Sequence, residues 1–151
     1  MTATELSAFD SFSAPLLGLP VAHIWRGYGT ALFLEFGYLH PRRLADGSSG
    51  NPAGDIGLMI ESGWRIEEGD HLLCSSETDD NGWKEVFGRL MRLQVARASL
   101  TQSFELAIDF ANGLRFRSTG ALQDWTFFDR RKNPERWAIF REGQLRIETA
   151  S

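Results

Sequence analysis

Apolar residues recur at every second position in Phe104, Leu106, Ile108 and Phe110, with Glu105, Ala107 and Asp109 between them. That period places the four apolar side chains on one face of a β-strand and the two acids on the other. Asn112 and Gly113 follow directly, a strong hairpin signal because both central residues of a type I′ turn need positive φ. Leu114, Arg115, Phe116 and Arg117 then alternate as the returning strand. Residues 31 to 36 read as a strand of the same kind, with Gly37 in place of the turn pair and Tyr38 and Leu39 starting the return. Further short strands are expected at Leu58-Met59-Ile60, Trp64-Arg65-Ile66 and Leu72-Leu73-Cys74, and residues 91 to 97 alternate as residues 21 to 25 do after Pro20. Residues 41 to 57 hold Pro41, Gly47, Gly50, Pro52, Gly54 and Gly57 among Ser and Asn, the composition of a long loop. Helix signals are confined to residues 4 to 12 and to Asp80-Asn81 ahead of Trp83, Val86, Phe87 and Leu90, where a cap precedes i, i+3, i+4, i+7 spacing. Eight to ten strands and one or two short helices make the chain mainly β, a closed barrel or a curved sandwich.

The two halves repeat one another. Leu32-Phe33-Leu34-Glu35-Phe36 parallels Leu106-Ala107-Ile108-Asp109-Phe110, and Trp64-Arg65-Ile66 parallels Trp137-Ala138-Ile139, each followed by a glycine, Gly69 or Gly143. The spacing from Phe36 to Trp64 nearly equals that from Phe110 to Trp137. Ordered blocks at matching separations predict two pseudo-symmetric strand repeats, about residues 15–76 and 85–149, completing one core within a single domain spanning 1–151. On this alignment Trp64 and Trp137 are core anchors. Trp25, Trp83 and Trp125 are then left for a contact surface.

Composition narrows the function classes. Lys and Arg number 16 against 20 Asp and Glu, too mild a balance for a chain that binds nucleic acid through its field. Residues 1 to 76 carry 4 basic and 9 acidic side chains, so the acidity lies in the first half. A single cysteine, Cys74, permits no internal disulfide and no thiolate zinc site. Glu5 and Asp10 occupy the stretch where a secretory signal needs positive charge, and no apolar run reaches membrane-spanning length. A cytoplasmic protein without membrane or nucleic-acid partners is expected.

Candidate chemistry is sparse. Glu35 and Asp109 hold the same slot in the two repeats, and a twofold could bring them together as an acid and base pair. Asp70, His71, Cys74, Glu77, Asp79 and Asp80 supply ligand types within a short span, but a polar loop predicts the same letters, and the calcium-loop pattern beginning at Glu77 meets Gly88 where it needs an acid. No metal or cofactor is therefore assigned. Glycines at 27, 29 and 47–57 lack the following lysine and helix of a phosphate cradle. Arg130, Arg131 and Lys132, beside Trp125, Phe127 and Phe128, form a basic loop suited to a phosphate or an acidic partner segment.

The layout of a Gly-led strand, an apolar strand ending in Phe and a later Trp-x-Ile strand, given twice between residues 17 and 149, resembles a loose group of small bacterial proteins, some grouped with toxin-immunity families. The resemblance implies a non-enzymatic cytoplasmic protein that acts by binding another protein, and it carries no catalytic residue. Three readings follow: a protein-partner module using Trp25, Trp83, Trp125 and the 130–132 loop; a barrel with a small-ligand pocket lined by Phe33, Tyr38 and Trp125; and an acid-base enzyme using Glu35 and Asp109. Oligomeric state is left open.

Overall fold

The computed structural model describes residues 2–120 and 123–150, with Asp80 described through its backbone alone. Helix α1 spans Ala3–Ser13. Thr2 starts it with a reciprocal cap: its hydroxyl accepts the Glu5 N–H at 3.0 Å while the Glu5 carboxylate accepts the Thr2 N–H at 3.1 Å. A 3-10 turn, Ala14–Leu16, leads into β1 (Val21–Arg26), β2 (Leu32–Phe36), β3 (Ile56–Ile60), β4 (Trp64–Glu68) and β5 (His71–Ser75). Helix α2 (Asp80–Leu90) is capped by the Asp79 side chain, which accepts the Gly82 N–H at 3.2 Å. Strands β6 (Val95–Leu100), β7 (Leu106–Phe110), β8 (Leu114–Ser118), β9 (Trp125–Asp129), β10 (Arg136–Arg141) and β11 (Gln144–Thr149) follow.

The strands form two antiparallel sheets, ordered β1-β2-β3-β9-β10-β11 and β5-β4-β8-β7-β6. They do not close into a barrel, which removes the barrel expectation. Each sheet combines both halves of the chain: after β3 the chain leaves for the second sheet, and after β8 it enters the first. The inward residues of both sheets belong to one buried cluster, in which Leu34, Leu58 and Phe127 of the first join Ile66, Ile108 and Phe116 of the second. Each helix adds an aromatic ring to it. Phe9 of α1 lies 5.8 Å from Trp125, and Trp83 of α2 lies 5.2 Å from Trp64.

The sheets are stitched together by backbone hydrogen bonds where β1 and β6 begin. Val21 N–H donates to Leu93 C=O at 2.9 Å and Val95 N–H to Leu19 C=O at 3.0 Å; Gly18 N–H donates to Val95 C=O and Arg92 N–H to Val21 C=O. Gly37 N–H reaches Pro20 C=O as Ala111 N–H reaches Gln94 C=O. In all three pairs corresponding atoms lie at a constant sequence offset, and Gly18 and Arg92 both adopt positive φ. A register shift between Val21 and His23 opposite β2 has its counterpart between Val95 and Arg97 opposite β7.

Several expectations are corrected. Trp137 is no core anchor: it lies half-buried in β10 with its neighbour Ala138 turned inward. Trp125 takes the core position, 1% exposed and stacked on Phe140 at 5.4 Å. The 112–113 hairpin exists, but only Gly113 has positive φ, and Asn112 instead accepts the Leu114 N–H with its side-chain oxygen. Phe104 lies ahead of β7 at positive φ, so it does not extend the strand as its alternation suggested. Residues 41–57 are a loop up to the start of β3, stiffened by bridges between His40 and Ala53 and between Arg43 and Ser49. No helix among the described residues is long and apolar enough to cross a membrane.

Candidate functional site

The outward residues of the two sheets differ in kind. In the first sheet, cross-strand register aligns Trp25, Phe33, Met59, Thr126, Ile139 and Arg146 in one row. The adjacent row runs His23, Glu35, Gly57, Phe128, Trp137 and Glu148. Trp25, Phe33, Met59, Phe128, Trp137 and Ile139 are all partly exposed, so apolar side chains run across five of its strands. Trp25 stacks on Phe33 with centroids 3.9 Å apart and planes 6° apart, and Phe128 meets Trp137 edge-on at 6.4 Å. The indole N–H groups of Trp25 and Trp137 have no hydrogen-bond partner among the described residues.

The second sheet presents Ser99, Ala107, Arg117 and Arg65 in one row and Arg97, Asp109, Arg115 and Glu67 in the next. Here the charges pair with each other. Arg117 Nε lies 3.0 Å and Arg65 Nη2 3.3 Å from the Glu67 carboxylate, and Arg115 Nε bonds Asp109. An antiparallel sheet with one solvated side alternates in this way. The first sheet departs from it, and a contiguous apolar patch of that kind marks an interaction surface.

One end of the apolar face is closed by a buried ion pair. Glu35, 3% exposed, accepts the Gly54 N–H at 2.8 Å and Arg130 Nη1 at 2.7 Å through one oxygen, while Arg130 also donates to Gly54 C=O at 3.1 Å. The pair lies directly over Gly57, where a Cβ would come 2.8 Å from both Arg130 Nη1 and Glu35 Oε1. The Arg130 guanidinium in turn covers Phe128 at 5.4 Å. Beyond it, Arg131 holds Asp129 through Nε at 3.0 Å, Nη2 at 2.9 Å and its backbone N–H at 3.1 Å. Burial works to raise the Asp129 pKa, but the Arg131 side-chain and backbone hydrogen bonds, with the charges of Arg131 and Lys132, outweigh it and hold the carboxyl below its usual value.

These contacts redistribute the expected site residues. Arg130 and Arg131 are paired with Glu35 and Asp129, although Arg131, like Lys132, is exposed. Trp83 is 3% exposed and donates its indole N–H to Ser75 C=O at 2.8 Å, and Trp125 is in the core; neither offers a contact surface. Of the three tryptophans assigned to one, Trp25 alone faces outward. Glu35 and Asp109 are not brought together, because each points away from the core on a different sheet and each has its own arginine. Phe33, Tyr38 and Trp125 line no common cavity: Tyr38 is 82% exposed, Phe33 is on the outer face and Trp125 is inside. Among the described residues no group of three His, Cys, Asp or Glu side chains could hold a metal, and Cys74 is buried, its thiol pushed up to about 11 by desolvation.

Met59, Phe128, Trp137 and Ile139 were not read as site residues from sequence. A signal was present in Leu58-Met59-Ile60, Phe127-Phe128 and Trp137-Ala138-Ile139-Phe140. Consecutive apolar residues in a strand mean that both of its faces are apolar, and a strand with one solvated side needs only one. Comparison of the chain with protein-family models, curated proteins and solved structures returned no match.

Proposed function

We propose that the chain is a non-enzymatic binding protein that docks a protein partner on the outer face of the six-stranded sheet, and that its two halves descend from one duplicated unit. The constant offset of the stitching hydrogen bonds and the repeated bulge support duplication. So do the crossing strands: Trp64 opens β4 opposite Ser118, the last residue of β8, and Trp125 opens β9 opposite Ile60, the last residue of β3. In this reading Trp125 is the counterpart of Trp64, and the sheets form a sandwich.

The observation that carries the functional reading is an internal comparison. Under the duplication Trp25 corresponds to Ser99, Phe33 to Ala107, Met59 to Arg117 and Phe128 to Glu67. The same backbone therefore folds with small or charged residues at these positions, and the fold does not account for the aromatic ones. Large aromatic side chains on an exposed face are the composition of interface anchors. Neutralisation of a partner, as in immunity proteins, is the role we favour. The buried, isolated thiol suits a reducing cytoplasm.

The test uses the counterpart as its control. A photo-crosslinking p-benzoylphenylalanine is placed at Met59 or at Arg117, and adducts formed in cells of the source organism are identified by mass spectrometry. A defined protein adduct at 59, absent at 117 and lost on adding Phe33→Glu, is expected. Equal labelling at both positions, or none at 59, overturns the reading.

A further inference from the structure

The end of the apolar face opposite the Glu35–Arg130 pair is a groove lined by Trp25, Gly27, Tyr28, Phe33, Met59 and Glu61. Its walls are aromatic or aliphatic. Tyr28, at the tip of the β1–β2 hairpin, is completely exposed, and the loop is tied down by Gly27 N–H donating to Ala31 C=O at 2.9 Å. Gly27 lies so close to the Phe33 ring that a Cβ there would approach it to 2.8 Å, which brings the hairpin tip against the groove wall. Among the described residues Glu61 is the one charged side chain in the lining. Its backbone carbonyl accepts the Thr30 hydroxyl at 3.0 Å, while its carboxylate makes no ion pair or hydrogen bond among the described residues. The neighbouring cation, Arg26, is turned to the other side of β1, its guanidinium 4.6 Å above the Trp83 ring.

We infer that this groove receives an arginine side chain of the protein partner, a deepening that rests on the docking reading above. A guanidinium is planar and weakly hydrated, so it stacks on aromatic faces while its N–H fork pairs with a carboxylate. The groove supplies π faces and an unpaired carboxylate together. A neutral side chain would leave Glu61 without a partner, and an acidic one would be repelled. A lysine would gain the charge but lose the stacking and the fork.

The test needs no partner protein. N-acetyl-arginine methylamide and its uncharged isostere N-acetyl-citrulline methylamide are titrated into the whole chain at low salt and followed by two-dimensional amide NMR. The arginine compound is expected to shift the Trp25 indole and the Tyr28 and Gly29 amides, with the citrulline compound about three- to tenfold weaker. Glu61→Gln is expected to abolish that preference and Glu61→Lys to abolish arginine binding, and the exposure of residue 61 leaves the fold intact in both. Tyr28→Ala, at a side chain packed against nothing, is expected to weaken arginine binding in a protein of unchanged stability. Equal shifts with both compounds, shifts located elsewhere, or a preference unchanged in Glu61→Gln overturns the inference. A failed crosslink at position 59 with this preference intact counts against the docking face and not against the arginine groove.

Discussion

Replacing Glu35 by alanine is expected to destabilise the protein far more than the matching change at Asp109, although both acids occupy the fourth position of a five-residue strand. Glu35 is buried and one of its oxygens receives both Gly54 N–H and Arg130 Nη1. Removing it strands a guanidinium that is 23% exposed and leaves a buried N–H without its acceptor. Deleting one member of a fully buried pair costs about 3–5 kcal/mol; the residual exposure of Arg130 and the nearby Glu135 carboxylate at 3.8 Å reduce this to about 2–4 kcal/mol. Asp109 pairs with an Arg115 side chain that is 49% exposed, so its removal should cost about 0–1 kcal/mol. For a domain of this size the Glu35 change corresponds to a fall in Tm of about 5–15 °C. Glu35→Gln keeps an acceptor for Gly54 and should cost about half as much. Calorimetry gives the Tm values, and urea unfolding of Glu35→Ala, Arg130→Ala and the double variant gives the coupling, expected to exceed about 1 kcal/mol. Amide exchange at Ala53 and Gly54 should accelerate in Glu35→Ala, because the pair anchors the 37–55 loop. A cost for Glu35→Ala no greater than for Asp109→Ala would refute the argument.

Three further outcomes follow from local geometry and charge. Gly54→Ala should cost at least about 2 kcal/mol in urea unfolding, since its Cβ would lie 2.5 Å from the Phe36 carbonyl oxygen, a backbone atom with no room to move. The folded-state pKa of Asp129 is depressed, so its contribution to stability is complete above the unfolded carboxyl value near pH 4 and disappears as the pH falls through the folded one; Asp129→Asn should be less stable than wild type at pH 7, and the two curves should converge as the pH falls through the depressed folded value. Cys74 has a raised folded-state pKa, so its contribution is complete below about 9 and is lost as the pH rises toward about 11; wild type should lose stability relative to Cys74→Ala over that window, and iodoacetamide at pH 8 should label the thiol only as fast as the structure opens.

The contrast between the two sheets gives this molecule its functional interest. On the second sheet Glu67 pairs with Arg65 and Arg117, and Asp109 with Arg115. On the other sheet, Trp25 and Phe33 stack on each other at the edge while Phe128 and Trp137 meet near the Arg130 lid. If the two halves arose by duplication, selection kept their inward positions apolar, as in Leu34 with Ile108 and Phe36 with Phe110, and let the outward positions diverge. The inward set is held by a common core, whereas the outward set is free to follow whatever each face touches.

Most strand positions, the helix around Trp83–Leu90 and the 112–113 hairpin are legible along the chain because alternation and turns are local, each depending on residues within a few positions of one another; the Thr2 cap was not read, and the second cap is Asp79, one residue ahead of the Asp80-Asn81 pair that the pattern pointed to. Glu35 and Asp109 each stand fourth in a five-residue strand. Which residues form the face was not legible. Trp125 and Trp137 sit in similar apolar strands, and their environments differ because β9 lies between β3 and β10 with the Trp125 side toward the core, a register set by partners elsewhere in the sequence. The Arg130 loop read as available for a ligand until Glu35, far away in sequence, was found to occupy it. Local periodicity says that a strand has two sides; only its neighbours across the sheet, and the core they enclose, determine which side water sees.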